Sequence, residues 1–147
     1  MVEKYIKQVR TINIILLVTD IIVILFSIFF NYNCVAIISD YQINVVYSIV
    51  VMIIIVFLLS MIRRSNKKFL LEVRNKPLEE KLNMYKNINL IKFIYYDAIT
   101  IITCLGFVLS GNNLYVVFPI AMIVLFILNF PNKKKVYTDL DIKQELD

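Results

Sequence analysis

The chain has 147 residues, 60% of them hydrophobic, and a mean hydropathy of +0.76, which lies outside the range of ordinary soluble domains. Its net charge of +5 falls in segments flanking apolar runs, with no aromatic-interleaved basic face, so nucleic acid is excluded as a partner. No histidine and no phosphate-cradling glycine loop are present, so no enzyme, cofactor or metal centre is expected.

Met1 to Arg10 is short and basic, and residues 12–30 form the first apolar run. No small-residue cleavage site follows it, so it reads as a retained span and not a signal peptide. The loop from Asn31 to Gln42 carries only Asp40 as charge. Residues 43–62 are the cleanest span, ending at Arg63-Arg64. Twenty helical residues cover about 30 Å at about 1.5 Å each, the thickness of a hydrocarbon core.

A charged bridge, residues 63–92, then holds nine of the sixteen Lys and Arg residues. Pro77 suits the first position of a helix, and after it Leu78, Leu82 and Tyr85 form one apolar stripe. Phe69, Leu70 and Val73 give a shorter stripe before it. Spans two and three are therefore expected to continue as helices and pack together, turning near Asn75-Lys76-Pro77. Two helices lying on the membrane surface are the competing picture. The Glu79-Glu80 pair complements a helix start.

The third span is expected over 93–110, a tight turn at Gly111-Asn112-Asn113, and the fourth span over 114–130. Lys133, Lys134 and Lys135 follow, then a tail to Asp147 in which Thr138 is a candidate cap and Asp139 and Asp141 read as solvated charge. All sixteen Lys and Arg residues then fall on one side, which the positive-inside rule makes cytoplasmic, with both termini there. Arg63, Arg64, Lys92, Lys133, Lys134 and Lys135 are the expected head-group anchors. Cys34 and Cys104 are too far apart in this topology for a disulfide.

The expected fold is all-α: one membrane domain, a four-helix bundle of two antiparallel transmembrane hairpins joined by a helical cytoplasmic connection. The halves resemble each other, Arg10 to Ile15 matching Lys86 to Ile91 with Asp20 and Asp97 following, as in a parallel duplication. Asn13, Asp20 and Ser27 repeat every seven residues and share a face of span one. Tyr96, Asp97, Thr100, Thr103 and Cys104 cluster on span three. Polar groups in lipid turn inward, so spans one and three are expected to face each other with two and four outside. Asn13, Asp20, Asp97 and Thr100 are the intramembrane residues to watch, and interhelical hydrogen bonding is their expected structural role.

The run Leu78-x-x-x-Leu82-x-x-Tyr85, the early acid Asp97, and Pro131-Asn132-Lys133 running on to Asp139-Leu140 resemble small, uncharacterised bacterial four-helix integral membrane proteins. That resemblance covers mainly the second half and implies topology only. The functional expectation is a non-enzymatic component of the cell (inner) membrane: an accessory subunit, an immunity-type protector or a scaffold. Its expected partners are lipids and either a second copy or another membrane protein, the latter meeting Leu78, Leu82 and Tyr85. The alternative is a small proton- or ion-coupled transport unit using Asp20 and Asp97.

Overall fold

Helix dominates because an apolar chain in lipid must satisfy its backbone groups within each segment. The computed structural model describes residues 2–33, 41–73 and 76–140. They form α1 (Val2–Asn33), α2 (Tyr41–Val73), α3 (Leu78–Ser110), α4 (Leu114–Leu128) and α5 (Lys133–Asp139), with no strand among the described residues. Expectations for Cys34, Asp40, Arg74, Asn75, Asp141 and the rest of the tail lie outside them.

The three long helices, of 32, 33 and 33 residues, are each long and apolar enough to cross a membrane. At about 1.5 Å per residue each exceeds a hydrocarbon layer by several turns. The excess lies largely in the bridge, where α2 runs unbroken to Val73. Pro77, extended at φ −62° and ψ 154°, precedes α3, and its carbonyl accepts from the Lys81 N–H at 3.0 Å.

Gly111 ends α3 in the left-handed conformation at φ 65°, its N–H donating to the Phe107 carbonyl at 2.8 Å. A side chain would be strained there. The Asn112 Oδ1 accepts from the Leu114 N–H at 3.0 Å and closes the turn into α4. α4 has only 15 residues and ends at Leu128, short of the expected Phe130. Asn129 caps it, Pro131 cannot continue it, and α5 leaves at an angle of 82°. The cap of α5 is Asn132, whose side chain accepts from the Lys135 N–H at 2.7 Å. Thr138 lies within that helix and donates to the Lys134 carbonyl instead. Counting α4 with its bent continuation, up to four segments can cross.

The packing differs from two hairpins. α3 is the hub: α1, α2 and α4 all pack on it, and α1 makes a smaller contact with α4. The α3–α4 pair is an antiparallel hairpin, as the short turn requires. α1 packs on α3 and not chiefly on α2, because its polar face needs the polar face of α3. The sequence places these two faces together; among the described residues α1 and α2 make no comparable contact, so the expected first hairpin is not seen.

One apolar cluster joins Val51, Ile55 and Ile62 of α2 to Phe93, Ile99 and Phe107 of α3 and Met122 and Phe126 of α4. The Phe93 and Phe126 rings, both fully buried, lie 4.3 Å apart. α4 approaches α3 closely at Gly106, where an added Cβ would stand 2.8 Å from the Tyr115 ring. Outward, Ile15, Ile22, Phe26 and Phe29 of α1 and Ile53, Val56 and Phe57 of α2 are exposed. Such continuous apolar faces exceed what a soluble monomer presents to water.

Candidate functional site

Seven-residue spacing puts Asn13, Asp20 and Ser27 on one side of α1, and all three are buried. Across from them, Asp20 lies against Asp97 and Thr100, and Ser27 lies against Cys104. Both pairings advance by seven residues, so α1 and α3 run parallel with equivalent positions of the two halves facing each other. This is the geometry a parallel duplication would leave, although the rest of the packing is not symmetric.

Thr100 donates to the Tyr96 carbonyl at 3.1 Å, and Thr103 donates to the Ile99 carbonyl at 2.8 Å. Their hydroxyls are thus satisfied within α3. Neither oxygen of Asp20 reaches a partner in hydrogen-bond geometry, nor does the Asp97 Oδ1 or either amide atom of Asn13. Asp20, Asn13 and Thr100 are fully buried, whereas Asp97 is half-buried. The spans hold no Lys or Arg to balance the acids. Two facing carboxyls in this setting can hold a proton or small cation between them, or accept a cation brought by another helix.

A second polar group sits at the bridge end. There Phe69, Val73, Leu82, Tyr85, Val136, Leu140 and Ile6 form a separate apolar cluster, drawing α1, α2, α3 and α5 together. Of the predicted contact residues, Leu82 and Tyr85 are buried, whereas Leu78 is 42% exposed and outside the cluster. Leu70 is likewise exposed, so the actual stripe before the turn is Phe69 and Val73.

Of the expected head-group anchors, Arg63, Arg64, Lys133 and Lys134 are exposed, and Lys135 is half-buried. Lys92 turns inward and donates to the Asn129 Oδ1 at 2.6 Å, because the end of α4 offers an acceptor closer than solvent. Lys135 reaches the same oxygen at 3.3 Å. Asp139, read as solvated charge, is half-buried beside Tyr85. Burial pushes its carboxyl above the usual range, with Lys135 and Lys92 opposing that shift. Arg10 donates to the Pro131 carbonyl at 3.0 Å and Lys133 pairs with Glu3 at 3.3 Å, tying α1 to the same end. Sequence reasoning named Lys92, Lys135, Tyr85 and Asp139 singly but missed their convergence, which depends on Asn129 at the end of α4.

Among the described residues, no group of three or more His, Cys, Asp and Glu side chains is placed to hold a metal ion. No protein-family model, curated protein or solved structure matches the chain.

Proposed function

We propose that the chain is one four-span domain of the cell (inner) membrane with both termini cytoplasmic, acting without catalysis as an accessory subunit, immunity-type protector or scaffold. The supporting observation is the Asp20–Asp97 pair, which the chain leaves without counter-charge on a helix that is half open at Asp97. A Lys or Arg on a partner span would supply the missing charge. The fourth span is α4 with its flanking residues. Its 15 residues reach about 22 Å, and local bilayer thinning with snorkelling lysines accommodates the shortfall. The cluster tying four helices together at the bridge end favours a rigid scaffold over a gated pathway.

The topology predicts a labelling pattern. Cys34 should react with a membrane-impermeant maleimide on intact cells, and an introduced cysteine at exposed Asn83 only after permeabilisation. Buried Cys104 should stay silent in both. The reverse pattern would invert the topology and remove the cytoplasmic assignment.

A second reading, favoured by the same unpartnered carboxyls, is proton- or ion-coupled transport by an oligomer. Purified protein in liposomes should carry no proton, sodium or potassium flux above protein-free vesicles. A flux abolished by Asp20→Asn, with insertion intact, would replace the first reading with the second.

A further inference from the structure

Lys92 and Lys135 converge on a single neutral oxygen, the Asn129 Oδ1, at 2.6 and 3.3 Å. That oxygen cannot balance two ammonium groups. Both lysines line a cavity of about 200 Å³ between α2, α3 and α5, whose only carboxylate among the described residues is Asp139. Among the described lining residues, two positive charges face one negative. The amide nitrogen of Asn129 is already used, donating to the Leu125 carbonyl at 2.8 Å, so the asparagine is fixed with its oxygen toward the lysines. At roughly 30 Å³ of liquid per water, the volume admits a phosphate group with a few waters.

The depth of the cavity suggests which phosphate. Lys92 immediately precedes the apolar part of α3, and Asn129 is the C-cap of α4, so the site lies where head groups meet hydrocarbon. Phe69, Leu70 and Ile88 line the same cavity, giving an apolar wall for the start of acyl chains. Lysine binds phosphate as a point charge with three donors, and Lys92 uses one of them on Asn129. We infer that this cavity binds the phosphodiester of one anionic phospholipid, held between Lys92 and Lys135 at the bridge end of the bundle.

Native mass spectrometry of the full chain in non-ionic detergent tests this, with phosphatidylglycerol and phosphatidylcholine titrated in parallel. One phosphatidylglycerol per chain should bind about tenfold more tightly than phosphatidylcholine, whose phosphodiester is the same but whose choline cation adds a third positive charge beside Lys92 and Lys135. Lys92→Met and Lys135→Met should each remove most of that preference. Asp139→Asn should strengthen it several-fold by deleting the competing carboxylate, an increase that a misfolded variant would not give. Equal binding of the two lipids would overturn the inference. So would a phosphatidylglycerol preference unchanged in both lysine variants. Inorganic phosphate is added as a separate arm: if it displaces the lipid and binds with the same dependence on Lys92 and Lys135, the occupant is free phosphate and the lipid assignment fails.

Discussion

Asp20→Ala should raise the stability of the protein by about 1–3 kcal/mol, the penalty attached to a poorly satisfied buried polar group, here an acid facing an acid without a counter-charge. Asp20 has no exposed surface, and its polar neighbours are another acid, Asp97, and the Thr100 hydroxyl, which already donates to the Tyr96 carbonyl. Alanine removes both oxygens, and the small void it leaves offsets only part of the gain. Asp20→Asn should change stability little, since it returns two polar atoms to the same place. Thermal unfolding in detergent, followed by helical circular dichroism, measures all three proteins. A gain would mark Asp20 as a residue held against stability, as expected of a group that meets a partner or carries charge. A loss of similar size on Asp20→Ala would mean that Asp20 and Asp97 share a hydrogen bond in lipid, making the pair a structural strut.

Asp20 also shows where sequence reading succeeds and where it stops. Its seven-residue spacing from Asn13 and Ser27 is a helix property, so their common burial follows from period alone. That α3 answers with Asp97, Thr100 and Cys104 follows from the need to remove polar groups from lipid. The pairing of α2 does not follow. Its spanning part is apolar around the whole circumference, so no periodicity says whether α1 or α3 should cover Val51 and Ile55. Chain adjacency suggested α1; packing with α3 and α4 decided otherwise.

The bridge shows the same limit at finer scale. Leu78, Leu82 and Tyr85 lie at helical spacing, but the stripe is only as long as the surface available to receive it. Phe69 and Val73 of α2 with Val136 and Leu140 of α5 cover Leu82 and Tyr85, and Leu78 lies one turn beyond that cover. Lys92 was legible as a charge at a membrane edge. Its inward turn depended on Asn129, thirty-seven residues away, and contact at that range leaves no periodic trace.

Leu82→Asp should therefore destabilise the bridge end by about 3–5 kcal/mol, the scale of deleting a buried leucine and leaving an unpaired charge. Leu82 is 2% exposed and packs in the cluster with Phe69, Tyr85, Val136 and Leu140. The Phe69 and Tyr85 rings, 6.2 Å apart, would lose the side chain that closes the space beside them. Leu78→Asp should stay within about 0.5 kcal/mol of the parent, because its side chain is already exposed. The apolar cluster of α2, α3 and α4 is separate from this one, so both variants should still insert. Hydrogen exchange on purified protein reads the difference directly. Leu82→Asp should lose protection over 66–73, 78–88 and 133–140 while 93–107 remains slow. Equal protection in the two variants would show that the bridge helices hold together without this cluster. Equal loss in both would place Leu78 against a partner surface in the protein's working assembly.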